Sequence, residues 1–291
     1  MKLKLLLLFS ILALSTSAQY SPLLNGKISC ARFFKTTTYI VLSDSEKFNQ
    51  ELREAAASEW KLTPTHFIPA DSLEYFIQDP ALSFVYLNRY PVRGEKREVY
   101  ALALFNGGFA SMKFFLNSTL AYVSADDFDF EKSSEDLSYR AASMLLSLQQ
   151  IISGISNEDL KAKDEIKMTE ALSNFLNEKA GLLKEKTLLV EKRYSLGKIV
   201  DYAEVEKKYP YAIQLVSKEE IEKALKSKES DKAVLISAYN LYKTNMVIDC
   251  ANLELIYAEL EQQDLQQSKR LDKFNLEDLN QLIIAIKKSK N

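Results

Sequence analysis

A stretch of this chain occurs twice, and that recurrence limits the fold more than any other feature of the sequence. His66–Leu87 (HFIPADSLEYFIQDPALSFVYL) reads as a short strand, a capped helix and a second strand, and Tyr211–Ser237 (YAIQLVSKEEIEKALKSKESDKAVLIS) reads the same way. Asp71 and Ser217, 146 residues apart, take matching cap positions, with Glu74 and Glu220 three residues on, the spacing of a capping box. The second copy is four residues longer between cap and closing strand (Ser217 to Val234 against Asp71 to Phe84), about one helical turn, which keeps the buried face in phase.

The flanking segments extend the match. Thr37–Leu42 is a β-branched and aromatic strand, followed by a helix capped at Asp44 or Ser45 with Phe48, Leu52, Ala55, Ala56 and Trp60 at helical spacing. After the first copy, Phe84–Leu87 runs into a turn at Arg93-Gly94-Glu95-Lys96 and returns as Val99–Phe105; Asn106-Gly107-Gly108 is a second turn, and Leu116–Ser124 holds another strand. Ser133, with Asp136 three residues on, opens a long helix striped by Leu137, Ala141, Met144, Leu145, Leu148, Ile151, Ile152 and Ile155. Gly154 to Asn157 reads as a break, and Glu158 to Leu183 as a second helix.

Thr187–Val190 then restarts the pattern. A helix follows at Ile199–Lys208, and strands at Val234–Ala238 and Met246–Tyr257 come after the second copy. Asn275 caps a terminal helix whose Glu277-Asp278-Leu279 echoes Glu135-Asp136-Leu137. The expected fold is α/β (α+β being its variant): two tandem β-α-β-α-β-β lobes with mixed sheets, joined by long helices. The divisions are residues 1–18, a signal peptide; 19–132, the first lobe; 133–184, a linking helical pair; and 185–291, the second lobe. One larger domain of alternating elements is the alternative.

The signal peptide is read from Lys2 and Lys4, the apolar Leu3–Leu14 run and the small residues Thr16-Ser17-Ala18 before Gln19. That run is too short to span a bilayer, and no later segment is apolar enough to try. Export places the chain in the periplasm or outside the cell. With Lys2 and Lys4 set aside, the remaining Lys and Arg fall just short of the 40 Asp and Glu, which gives no footprint for nucleic acid. The 47% apolar content with only 7 Gly and 6 Pro excludes a disordered or collagenous chain. In an oxidising compartment the only two cysteines, Cys30 and Cys250, are a possible disulfide; two buried free thiols are the other reading.

Catalytic signatures are sparse. A single histidine, His66, rules out His-based metal sites and reads as a strand-edge side chain. The acidic run Asp126-Asp127-Phe128-Asp129-Phe130-Glu131 offers Asp126, Asp127 and Asp129 as oxygen ligands, yet lacks the glycine and the position-twelve glutamate of an EF-hand and reads as a solvated edge, with metal binding the lesser alternative. No nucleophile elbow, Cys–His pair or glycine-rich phosphate loop occurs, and no motif implies a cofactor. The basic residues Arg89, Arg93, Lys96 and Arg97 are interleaved with Glu95 and Glu98, as in a solvated loop. Asn117-Ser118-Thr119 is an N-glycosylation sequon that matters only in a eukaryotic secretory pathway.

Gln19 after the cleavage point and the Lys-, Tyr- and Phe-rich chain that follows resemble exported proteins of Bacteroidetes, and the strand–helix–strand pattern from Thr37 to Leu87 is similar to secreted families without assigned function in that group. The resemblance transfers no site residues. The expected function is that of an exported, non-enzymatic binding protein of the cell envelope. It would hold a protein or envelope component in the cleft between its lobes or along an exposed sheet edge. The alternatives are a carboxylate-based or metal-assisted hydrolase using Asp126, Asp127 and Asp129, and an assembly subunit that oligomerises through its central helices.

Overall fold

The structure is a computed structural model that describes residues 30–91, 98–111, 119–128, 137–156, 165–192, 202–239, 243–260, 274 and 276–289. The signal peptide, the turn with Arg93, Lys96 and Arg97, the sequon asparagine, Asp129, the Ser133–Asp136 cap and Asn275 lie outside the described residues.

The fold is α/β, with helices packed on two mixed five-stranded sheets. The first sheet contains β1 (Thr37–Leu42), β2 (Thr65–Pro69), β3 (Leu82–Pro91), β4 (Glu98–Asn106) and β5 (Thr119–Phe128), in the order β2-β1-β3-β4-β5. The second contains β6 (Thr187–Glu191), β7 (Ile213–Val216), β8 (Lys232–Tyr239), β9 (Lys243–Asp249) and β10 (Leu255–Leu260), in the order β10-β9-β8-β6-β7. The two orders are the same topology. In each sheet the first strand pairs in parallel with the second and third, and the last three strands form an antiparallel meander.

The equivalence holds residue by residue. Thr37 sits opposite Leu82 as Thr187 sits opposite Lys232. Gly107 N–H donates to Leu82 O as Cys250 N–H donates to Lys232 O. Even the irregularity recurs: β5 bulges at Leu120 and β10 at Ile256, each one residue after the start of the strand.

Seven helices are described, α1 (Glu46–Glu59), α2 (Leu73–Phe76), α3 (Ala141–Ser156), α4 (Glu165–Leu176), α5 (Tyr202–Lys208), α6 (Lys218–Lys226) and α7 (Leu276–Lys288). They form layers with the sheets. The outer face of the first sheet packs against α2 through Val41, Ile68, Leu73, Ile77 and Phe84. Its inner face (Ile40, Val85, Leu102, Leu104), helices α1, α3, α4 and α6, and one face of the second sheet (Leu189, Val234, Ile236, Met246, Ile248) make a single buried cluster. The far face of the second sheet packs on α7 and on the Ala180–Lys184 turn through Leu188, Leu235, Val247, Leu279 and Leu282. Among the described residues, packed side chains of that cluster join the two sheets. Helix α3, buried on nearly every side, packs within the chain's own core.

Two adjacent glutamines fasten α3 to both lobes. Gln149 accepts from Lys61 N–H (2.8 Å) and donates to Glu59 O (3.2 Å) at the end of α1. Gln150 accepts from Leu255 N–H (2.7 Å) and donates to Leu255 O (3.1 Å) on β10. Asn177 Oδ1 accepts from Ala258 N–H (2.7 Å), so amide side chains complete the backbone hydrogen bonding of an edge strand, which would otherwise invite pairing with another chain.

Several expectations are corrected. Ser217 does form the capping box with Glu220, whose carboxyl is held below its usual range by the backbone N–H of Ser217. Asp71 forms none. The chain leaves β2 at Pro69 and turns at once into a 3-10 turn, Ala70–Ser72, so Asp71 lies inside the first turn and cannot reach back to cap it. By register Ser217 corresponds to Pro69, and the second connection is two residues longer, not four.

Met246–Tyr257 is two strands, split by a turn in which Asp249 Oδ1 accepts from Ala251 N–H and Asn252 Oδ1 from Glu254 N–H. The Glu158–Leu183 helix ends at Leu176, and Ala180–Lys184 is a separate 3-10 turn.

The break expected over Gly154 to Asn157 falls within those bounds, after Ser156 and not at Gly154 itself. Helix α3 continues through it to Ser156, and a Cβ there would stand 2.6 Å from Leu172 Cδ1 and 2.8 Å from Phe175 Cδ1 of α4. The glycine lets two helices touch. Intrinsic helix propensity favours alanine over glycine by about 1 kcal/mol, so the sign of the effect is diagnostic: Gly154→Ala is expected to destabilise by about 1–3 kcal/mol through overpacking, read as a lower urea midpoint.

Candidate functional site

The outer face of the first sheet differs from its counterpart in the second lobe. Register places Tyr39 beside His66 of β2 and Phe84 of β3, and Phe84 opposite Phe105 of β4. Along the next row Tyr86 faces Ala103, which faces Tyr122 of β5. Strand alternation puts all of these on one side of the sheet. Tyr39 is the hub: its ring meets His66 at 5.7 Å, Phe76 of α2 at 5.1 Å and Phe84 at 6.0 Å between centroids, each edge to face.

Phe84, Ala103 and Phe105 are fully buried, whereas Tyr39, Phe76, Tyr86, Phe109 and Tyr122 are only half-buried, and His66 is exposed. Tyr75, on the outward side of α2, is 85% exposed, the most exposed large apolar residue among those described.

The same positions in the second sheet are sealed. Tyr39, Tyr86 and Tyr122 correspond by register to Leu189, Ile236 and Ala258, none more than 3% exposed. Phe84, Phe105 and Ala103 correspond to Val234, Ile248 and Met246, all within the central core. That face is covered by α6 and by α3 and α4 of the central layer. Among the described residues the first sheet carries only the four-residue α2 in the corresponding place. Aliphatic side chains stand where helices cover the sheet, and tyrosines, whose hydroxyls can reach water, stand where they do not.

The expected site residues fall elsewhere. Asp126 and Asp127 lie on β5 opposite Tyr100 and Val99, Asp129 is outside the described residues, and among the described residues no cluster of three or more His, Cys, Asp or Glu is arranged to hold a metal ion. His66 sits on the edge strand β2, as its sequence context implied. Arg89 is on β3.

Cys30 and Cys250 are not bridged; both are buried free thiols in the central core. Burial pushes each up to about 12, with the Asp249 charge adding to the effect at Cys250. In the native state neither thiol is expected to react with a disulfide reagent at pH 8, and both react in denaturant. Unfolded thiols ionise near their ordinary value of 9.0, while the folded ones keep their protons to about 12. Their contribution is therefore intact below pH 9 and is lost as the pH rises from there towards 12, which an alkaline series of urea midpoints would register.

One charged element at the seam was not singled out from the sequence. Arg140 is fully buried at the head of α3, its guanidinium carbon 5.4 Å from the centre of the Tyr139 ring, and Lys218 Nζ of α6 is 5.7 Å from the same ring. With a cation from each of these elements in range, the ring joins the start of α3 to the start of α6. An arginine just ahead of the apolar Met144–Ile155 stripe was the available signal.

Among the described residues no helix is long and apolar enough to cross a membrane. Comparison with known proteins gives no matching family model, no matching curated protein and no matching solved structure.

Proposed function

We propose that this chain is an exported, non-enzymatic binding protein of the cell envelope that holds a protein or envelope component on the outer face of its first sheet. One observation carries the reading. Two sheets of identical topology solve the same face in opposite ways, one sealed with aliphatic side chains and one left half-open with Tyr39, Phe76, Tyr86 and Tyr122, beside exposed Tyr75 and His66. Large aromatic side chains left partly open on a rigid sheet are the composition of a recognition surface, because tyrosine buries much area at small entropic cost and keeps a polar tip. The edge-to-face packing of the rings offers a ridged surface and not a flat stacking platform, which favours a protein partner over a sugar. Export is supported by the basic, apolar and small-residue succession of residues 1–18.

The test is fractionation and co-purification of the tagged full chain from its native cell. The expected result is recovery outside the cytoplasm with a co-eluting component that is lost from the Tyr75→Ala/Tyr86→Glu variant. A cytoplasmic location, or co-elution that ignores both substitutions, would sink the reading.

A further inference from the structure

Resting on that reading, we infer that the partner covers the outer face of the first sheet with an amphipathic helix. The molecule contains the precedent. On the second sheet the register-equivalent face is covered by α3 and α4 from outside the lobe's own sheet. Leu172 and Leu176 of α4 join Leu189, Ile236 and Ala258 in one buried cluster. Polar side chains at the margin of those helices finish the contact, with Gln150 and Asn177 bonding the backbone of β10.

The first lobe supplies the same strand order, the same bulge and the same pairing register, and among the described residues it has only the short α2 as cover. The surface is thus shaped for what its twin carries: a helix with apolar residues at i, i+3, i+4 and i+7 laid across Tyr39, Tyr86 and Tyr122. A second copy of this chain is a poor source of that helix. Helix α3 is consumed in the core, and α7 turns Glu277, Asn280, Gln281, Lys287 and Lys288 outward around a single exposed apolar residue, Ile284, a mainly polar face such as ends a stack.

The experiment uses the full chain carrying the photoreactive residue p-benzoylphenylalanine in place of Tyr75 or Tyr86, with Ile284 on α7 as the control position, irradiated in the producing cell. Both face positions are expected to attach to one other polypeptide, within a single segment of helical apolar periodicity, and the control is not. A synthetic peptide of that segment should then become helical on binding the purified chain. Binding should weaken about tenfold or more on Tyr86→Glu, while thermal unfolding of Tyr86→Glu and Tyr75→Ala stays close to that of the parent.

Attachment to an extended segment with period-two pattern, to a glycan, or to a second copy of this chain overturns the helix while leaving a binding face in place. No attachment above the control at either position overturns both the helix and the proposed function.

Discussion

Gly107→Ala is expected to be among the most damaging single-methyl changes in this protein, costing about 3 kcal/mol, at the upper end of what overpacking does. A Cβ at Gly107 would overlap the backbone carbonyl oxygen of Asp79 and stand 3.0 Å from Leu82 O. Neither neighbour can swing away as a side-chain tip would. The 77–82 connection is tied down on this strand end by Gly107 N–H to Leu82 O (2.8 Å), Gly108 N–H to Ile77 O (2.8 Å) and Phe109 N–H to Ile77 O (3.0 Å). Arg32 clamps it from the other side by donating to Gly107 O (2.6 Å).

Gly108→Ala makes an instructive control. Gly108 has the left-handed φ of 90° that only glycine adopts freely, but its new Cβ would meet nothing closer than Pro80 Cβ, at 3.3 Å. The expected cost is about 1–2 kcal/mol, so Gly107, with ordinary φ, is predicted to be the more sensitive of the two. Urea midpoints of both variants decide the order, and a Gly107→Ala protein as stable as Gly108→Ala would mean that the 77–82 connection shifts freely. In the second lobe Cys250 occupies the register position of Gly107 and keeps its side chain. There the connection from Ser217 to Lys232 is two residues longer, and no carbonyl blocks the site.

That comparison also shows what the sequence could and could not disclose. Thr37–Leu42 and Thr187–Val190 were legible because short runs rich in β-branched and other apolar residues declare a strand without help from the rest of the chain. Ser217 and Glu220 were legible because a capping box is purely local. Asp71 and Glu74 have the same spacing, yet a box also needs the residue before the helix to be extended, and the extended residue is Pro69. Matching the copies by chemistry put Asp71 against Ser217; matching them by hydrogen-bonded register puts Pro69 there.

The turn inside Met246–Tyr257 was hidden because Leu253, at φ 60°, takes the place a glycine would usually mark, although Asp249 and Asn252 were its Asx signals. The candidate face was invisible for a different reason. Tyr39, Tyr86 and Tyr122 lie far apart in sequence on three strands, and their likeness to Leu189, Ile236 and Ala258 appears only once pairing is known. That two sheets would share one central core, leaving one outer face thinly covered, follows from stacking the lobes head to tail and from no local pattern.

Breaking the Lys186–Asp249 pair is the second large effect expected. Lys186 Nζ lies 3.0 Å from Asp249 Oδ1, with side chains 12% and 5% exposed, at the end of β9 just before β6 begins. Each charge has further bonds: Lys186 donates to Ser230 O, and Asp249 Oδ1 accepts from Ala251 N–H at 3.0 Å. Removing one partner leaves the other charge out of water with part of its stabilisation gone, so Lys186→Met and Asp249→Ala are each expected to cost about 3–5 kcal/mol.

The first lobe shows how the same position is managed without charge. By register Lys186 corresponds to Thr36 and Asp249 to Asn106, and Thr36 Oγ1 bonds Phe33 O (2.7 Å) and Ser83 Oγ (2.8 Å). The double variant Lys186→Thr/Asp249→Asn puts those two neutral side chains in place of the charges and is expected to recover most of the loss, ending within about 2 kcal/mol of the parent, because two uncharged polar groups cost far less to bury than one orphaned ion. A double-mutant cycle on urea midpoints measures the coupling. Strict additivity, with the double variant as unstable as the two singles together, would show that the pair is no unit and that each charge is held by its backbone contacts alone.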